Sequence, residues 1–335
     1  MAYGGFIGRN QYGYGADPVY QAKEMADDLI TMDDLTNEQI EALLKDAEKL
    51  LPAAKGDVYL PLLEGKLLGN MFFEPSTRTR MSFETAMKRL GGNVVNLGAL
   101  ASSSVTKGET LFDTMKMVDG YCDVAVLRHP RQGAAQYAAD ACDIPILNGG
   151  DGAGHHPTQT LLDLFTIKQA HGKLNLNVVM VGDLRYGRTV HSLSHALSRF
   201  GANLTFIAPP ALSMPDEIIE DLKASGANIT VSEDLVSNLP AADVIYMTRI
   251  QKERFPDEDE YQKVAGIYKL SRKDLKDVKE SMIIMHPLPR VDEIHPNVDS
   301  TPHAAYFDQA FNGVVARMAL LCYLFGVAIP KEVSQ

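Results

Sequence analysis

Short apolar runs separated by longer amphipathic stretches restrict this chain to few architectures. The runs lie at 67–73, 93–97, 123–127 and 144–148, then at 178–181, 204–207, 229–231, 244–247 and 282–285. Strands this short and this evenly apolar are buried on both faces, and the stretches between them supply the crossovers that parallel strands need. The expected fold class is α/β, with two domains, each a mostly parallel sheet covered by helices on both faces. Between the two series stands Asn148-Gly149-Gly150-Asp151-Gly152-Ala153-Gly154, which reads as the joint and as a hinge. Residues 1–19 read as a flexible N-terminal extension, 20–155 plus 306–335 as one domain and 156–305 as the other. Thr36 and Gln39 form a capping box for a helix carrying Ile40, Leu43, Leu44, Ala47 and Leu50. The last long helix, from about Ala304, is expected to pack back on the first domain.

In open α/β sheets ligands sit beyond the carboxyl ends of the strands, so the loops there carry the functional reading. The first series offers Ser76-Thr77-Arg78-Thr79-Arg80 after 67–73, Arg128-His129-Pro130 after 123–127, and His156-Pro157-Thr158-Gln159 after the glycine stretch. The second offers Arg188 beyond 178–181, Arg249 and Gln251 after 244–247, and His286-Pro287-Leu288-Pro289-Arg290 after 282–285. Phe83, Met87 and Leu90 place a helix directly after Ser76. Hydroxyls and guanidinium groups packed into its first turn make an anion site, because the free N–H groups there already favour negative charge. Donors recur at nearly every strand end, so the inferred ligand is strongly anionic, with more than one acidic group. Taken alone, His156 before Pro157 reads as a cap for the helix over 157–171.

This cationic site belongs to an acidic protein: the formal net charge is −11 over 335 residues. That balance argues against a general nucleic-acid or anionic-membrane binder. The longest apolar run, Met318 to Ile329, is too short to span a bilayer and reads as a buried helix. Cys122, Cys142 and Cys322 are odd in number and form no C-x-x-C pair. They give neither a zinc site nor a disulfide framework and suit a reducing, cytoplasmic setting. No metal site is expected.

With Ser-Thr-Arg-Thr-Arg at 76–80, Arg-His-Pro at 128–130, His-Pro-Thr-Gln at 156–159 and His-Pro-Leu-Pro-Arg at 286–290, the chain resembles the aspartate/ornithine carbamoyltransferase family from about Ala16 to Ile329. Members that take ornithine resemble one another in a His-Cys-Leu-Pro near the end and a Ser-Met-Gly. Here Pro287 replaces that cysteine, Ser-Met-Gly is missing, and Arg249-x-Gln251 suits a second carboxylate instead. The resemblance implies transfer of the carbamoyl group of carbamoyl phosphate to L-aspartate, early in pyrimidine biosynthesis, without a cofactor. It implies that Ser76, Thr77, Arg78 and Thr79 hold the phosphate, with Arg128 beside them. Thr79, Arg128 and His156 would surround the carbonyl oxygen, while Gln159 and the backbone carbonyls of Pro287 and Leu288 take the carbamoyl NH₂. Arg188, Arg249 and Gln251 would bind the two carboxylates of aspartate. Ser103 and Lys107 match a loop lent to the neighbouring subunit of a homotrimer with shared sites, and Lys107 would reach both substrates. The resemblance leaves room for a separate regulatory chain.

Three rivals stand beside this reading. Val181-Gly182-Asp183 through Gly187 starts like a dinucleotide turn, but Leu184 breaks the glycine pattern and no acid follows Ile207. The others are an ornithine-specific member and a catalytically silent binding protein of the same family.

Overall fold

The computed structural model describes residues 28–97, 107–152, 154–250, 258–264, 266–331 and 333. The expected extension at 1–19, Ser103 and Gln251 lie outside these residues. The Thr36 hydroxyl accepts the Gln39 N–H at 3.3 Å, and the Gln39 side chain accepts the Thr36 N–H at 2.8 Å. The expected capping box therefore forms, and it opens α1 (Asn37–Lys55).

The first series of strands gives a four-stranded sheet in the order β2-β1-β3-β4, made of β1 (Leu67–Phe72), β2 (Asn93–Asn96), β3 (Val124–His129) and β4 (Ile146–Asp151). The second gives a five-stranded sheet in the order β7-β6-β5-β8-β9, made of β5 (Asn177–Val181), β6 (Asn203–Ile207), β7 (Asn228–Ser232), β8 (Val244–Met247) and β9 (Ile283–Met285). Every pairing is parallel. In each sheet the chain winds outward one way and then reverses, so a topological switch point falls between β1 and β3 and another between β5 and β8.

The two-residue period of the strands divides the core. In β3, Val124 and Val126 face one way, toward Phe83 of α2 (Thr77–Arg89). Ala125 and Leu127 face the other, toward Met115 of α3 (Leu111–Tyr121) and Ala135 and Ala138 of α4 (Ala134–Ala141). The second sheet repeats the rule: Val178, Met180 and Tyr246 join the same core as Val124, whereas Val179, Val181 and Ile245 line a separate one. A single apolar core thus runs between the sheets. It is filled by α1, α2, α5 (Pro157–His171) and α10 (Tyr306–Leu324), the elements in between being α6 (Arg188–Arg199), α7 (Asp216–Ala224), α8 (Leu235–Asn238) and α9 (Glu258–Val264). Helix α10 packs on α1, α2 and α5, which is the return to the first half expected from sequence.

Within the glycine stretch, Asn148 to Asp151 continue β4 and are buried. Asp151 then accepts the Gly133 N–H at 2.7 Å, the His155 N–H at 3.0 Å and the Asn148 amide at 3.0 Å. A carboxylate with three donors ties the turn down, and α5 carries the chain from one sheet to the other. Among the described residues no helix is long and apolar enough to cross a membrane.

Candidate active site

A cavity of about 720 Å³ opens where the carboxyl ends of the two sheets meet. Among the described residues its walls hold five arginines, Arg78, Arg128, Arg188, Arg249 and Arg317, against one carboxylate, Glu74. Four of the five come from the switch points. Arg78 follows β1, Arg128 lies in the end of β3, Arg188 follows β5 and Arg249 follows β8. These are the places where loops diverge to either side of a sheet and leave a crevice.

The first wall begins at Ser76, the N-cap of α2, whose side chain makes no capping bond and stays available to the cavity. Thr77, Arg78 and Thr79 form the first turn, where backbone N–H groups lack acceptors within the helix. Arg128 is clamped, its guanidinium donating to the Gly149 carbonyl at 3.1 Å and to Glu74 at 3.0 Å. Gly150 explains the glycines of this loop. Its φ is +112°, and a Cβ there would lie 2.8 Å from Arg128 Nη1 and 3.0 Å from Arg188 Nη2. Only glycine lets these two guanidinium groups converge over the backbone.

His156 does more than precede a helix. It occupies the N-cap of α5, yet its ring makes no capping bond, which corrects the simplest reading of that position. The ring lies between two hydroxyls, with Nε2 3.5 Å from Thr79 Oγ1 and Nδ1 3.4 Å from Thr158 Oγ1. Arg317 donates to Thr158 Oγ1 at 3.2 Å, which ties the hydroxyl beside the ring to a buried guanidinium. Burial, and after it Arg188, Arg128 and Arg317, hold the imidazole well below its usual pKa. The ring is therefore neutral near pH 7 and acts as a hydrogen-bond donor, not as a cation.

The opposite wall combines Arg188, Arg249 and the loop 286–289. Arg188 donates to the Gly152 carbonyl, and Arg78 donates to the Leu288 carbonyl at 2.7 Å, so each half reaches across to the other. Leu288 has φ +52°, a left-handed conformation that costs a non-glycine residue about 1–2 kcal/mol. The His286 ring holds it there, accepting the Leu288 N–H at 2.8 Å through Nδ1, while Nε2 meets Glu293 at 2.6 Å.

Of the residues expected from sequence, Ser76, Thr77, Arg78, Thr79, Arg128, His156, Gln159, Arg188, Arg249, Pro287 and Leu288 all line this cavity. Lys107 is exposed and is not among the lining residues. Arg290 belongs elsewhere, paired with Asp299 at 2.6 Å through Nη2. Sequence reasoning passed over Arg317, Gln309 and Asp163. Arg317 is 2% exposed, and burial pulls its guanidinium down to about 9. Asp163 has no exposed surface, and burial pushes its carboxyl up to about 7 against the hydrogen bonds of Gln309, Tyr246 and Gln159. Each interrupts an apolar helical stretch, Leu161-Leu162-Asp163-Leu164 and Val315-Ala316-Arg317-Met318. A charge in such a stretch is the signal that was there to be read.

Known proteins agree with this geometry. Residues 27–169 match the carbamoyl-P binding domain of aspartate/ornithine carbamoyltransferases, and residues 174–324 match their Asp/Orn binding domain. The aspartate carbamoyltransferase catalytic subunit of Archaeoglobus fulgidus is 56% identical over 294 residues, covering 88% of this chain and 97% of that protein. Its counterpart from Thermococcus onnurineus is 54% identical over 301 residues, covering 90% and 97%. The catalytic subunit of M. jannaschii aspartate transcarbamoylase superposes with a TM-score of 0.83 at 51% identity, covering 89% of this chain and 98% of that one. Aspartate transcarbamoylase from Trypanosoma cruzi, in complex with carbamoyl phosphate and aspartate, gives 0.84 at 41% identity, covering 89% and 96%. With both halves matched and the strand-end arginines gathered in one cleft, this chain belongs to the aspartate/ornithine carbamoyltransferase family.

Proposed function

We propose that the protein is an enzyme that transfers the carbamoyl group of carbamoyl phosphate to the α-amine of L-aspartate, giving N-carbamoyl-L-aspartate and phosphate. The observation that carries this reading is the convergence of five guanidinium groups on one cavity in a chain of net charge −11. Such a cleft suits two anions placed side by side, and holding both is a large part of what the reaction requires.

Ser76, Thr77, Arg78 and Thr79 bind the phosphate at the start of α2, with Lys107 and Ser103 supplied by a neighbouring subunit. Arg188, Arg249 and Gln251 take the aspartate carboxylates. Gln159 and the carbonyls of Pro287 and Leu288 accept from the carbamoyl NH₂. The neutral amine attacks the carbonyl carbon. As the C–N bond forms, charge grows on the carbonyl oxygen and is met by Arg128, Thr79 and His156. Each such donor is worth roughly 2.7–4 kcal/mol in the transition state. The C–O bond to phosphate then breaks, and the amine proton leaves with the phosphate. A neutral His156 fits this role, since it donates a hydrogen bond without adding a further positive charge.

In this reading 20–155 with 306–335 carries the carbamoyl phosphate side and 156–305 the aspartate side, with α5 as the beam between them. The enzyme works in the cytoplasm at an early step of pyrimidine biosynthesis, as a homotrimer with shared sites. The exposed position of Lys107, outside its own chain's cavity, supports sharing.

Supplying carbamoyl phosphate with L-aspartate, then with L-ornithine, and measuring the ureido product tests the reaction. Turnover with aspartate alone is expected, and comparable rates with ornithine would overturn the proposal. Sharing is tested by unfolding Arg78→Ala and Lys107→Ala chains together and refolding them. Random mixing leaves roughly a quarter of the sites whole. Mixed trimers as inactive as their parents would rule sharing out.

A further inference from the structure

The feature that the catalytic reading leaves unused is a buried carboxylate behind the cavity wall. Asp163, in α5, collects three donors and no exposed surface. Its Oδ1 accepts Gln159 Nε2 at 3.0 Å and Gln309 Nε2 at 2.7 Å, and its Oδ2 accepts the Tyr246 hydroxyl at 2.8 Å. Gln159 and Gln309 line the cavity, and Tyr246 comes from β8 of the second sheet.

An amide has two ends of opposite hydrogen-bonding sense, and which end faces a ligand decides what the ligand must offer. Asp163 Oδ1 accepts from both glutamines and so draws the Nε2 end of each toward itself. Gln309 is fixed from its far end as well, because its Oε1 accepts the His286 N–H at 2.8 Å. The Gln159 side chain also meets the Tyr246 hydroxyl, which is itself bonded to Asp163. With Nε2 held by Asp163, the atom it has left for the cavity is Oε1, an acceptor.

We propose that Asp163 is a positioning residue that makes the site select an acyl phosphate bearing NH₂ over one bearing CH₃, by fixing the amide of Gln159 with its oxygen toward the ligand. This rests on the carbamoyl-transfer reading above. A carbamoyl NH₂ donates to Gln159 Oε1, whereas an acetyl methyl leaves that oxygen buried without a partner, which is where most of the discrimination arises.

The bonding pattern also says which changes to Asp163 matter. In Asp163→Asn, Gln309 is still locked by the His286 N–H, so the Asn oxygen must face the two Nε2 groups and the Asn NH₂ turns to the Tyr246 oxygen. Gln159 keeps its orientation and selectivity survives. In Asp163→Asn/Gln309→Glu the carboxylate moves to position 309, where it accepts from both the His286 N–H and the Asn NH₂. That NH₂ now also faces Gln159, whose amide turns over and presents its own NH₂ to the ligand.

The test measures dissociation constants of carbamoyl phosphate and acetyl phosphate by calorimetric titration. The proteins are the wild type, Gln159→Ala, Asp163→Asn and the double variant, with thermal unfolding confirming that each is folded. The expected preference for carbamoyl phosphate is retained within about threefold in Asp163→Asn. In the double variant it falls by roughly tenfold, toward the Gln159→Ala level, the factor carried by about one neutral hydrogen bond. A folded double variant with undiminished preference overturns the proposal and leaves the carbamoyl-transfer reading standing. So does an Asp163→Asn protein whose preference has dropped to the Gln159→Ala level, which decides the matter even where the double variant does not fold. A wild type that binds both acyl phosphates equally overturns the carbamoyl reading itself, and this inference with it.

Discussion

The two walls of the cavity come from sheets wound by the same rule, yet they place their donors differently. On the side of the four-stranded sheet the donors are crowded. Ser76 to Thr79 share one helix turn, Arg128 is clamped between Glu74 and Gly149, and His156 stands against Thr79. On the side of the five-stranded sheet Arg188 and Arg249 are set apart, beyond separate strands. A phosphate is compact and wants convergent donors, whereas a dicarboxylic amino acid is extended and wants donors spaced along it. One fold serves both because a switch point supplies two diverging loops, and the residues on those loops decide how close the donors stand.

The strongest test of this comparison is Arg128→Ala. On the proposed roles it removes a donor to the developing oxyanion, and it strands Glu74 at the cavity edge, so kcat should fall by roughly 10²–10³. Steady-state kinetics with both substrates saturating checks it, and a loss confined to KM would place Arg128 in ground-state binding instead. Arg249→Ala should act on the other wall alone, raising the KM for aspartate by roughly 10–100-fold, the worth of a charge-assisted bond. Carbamoyl phosphate affinity, read by titration, should stay as it was. Equal damage to both substrates would mean that the walls do not divide the work.

A smaller effect concerns protons. The folded pKa of His156 lies below the ordinary 6.5, so its contribution to stability is complete above pH 6.5. It is lost as pH falls below that value, because the unfolded chain then binds a proton that the native ring refuses. The slope is at most about 1.4 kcal/mol per pH unit. His156→Gln should therefore lose stability less steeply than wild type between pH 6.5 and about 5 in denaturant titrations. Equal slopes would show that the ring is not held neutral. Thr36→Ala is the smallest change and touches neither wall. Losing the capping bond to Gln39 should cost about 1 kcal/mol of stability with kcat/KM unchanged, measured by unfolding and by initial rates.

Much of the site was legible because its parts are local. Ser76 to Thr79, His156 with Gln159 and Pro287 with Leu288 each sit beside a strand or helix end that hydrophobic patterning marks. The use of the glycine stretch was less legible, because glycine is as useful for close approach as for flexibility. Gly150 is needed where two guanidinium groups crowd the backbone, and β4 runs as far as Asp151. Arg290 and Arg249 look alike in sequence, both following a strand, and only the fold shows that Asp299 takes the first.

What the sequence by itself determined is therefore the alternation of elements, the parallel character of both sheets, and the anionic nature of the ligand. These depend on interactions within a few residues, such as side-chain period, caps and the chemistry of one loop. What only the tertiary structure decided is the orientation of those groups. The hydroxyl of Thr158 beside the His156 ring is held by Arg317 across 159 residues of chain, and the amide of Gln309 is held by Asp163 across 146. Such choices follow from which buried donor meets which buried acceptor once the sheets have closed on a shared core. No local pattern encodes a partner that distant, although a lone charge in an apolar helix announces that one must exist.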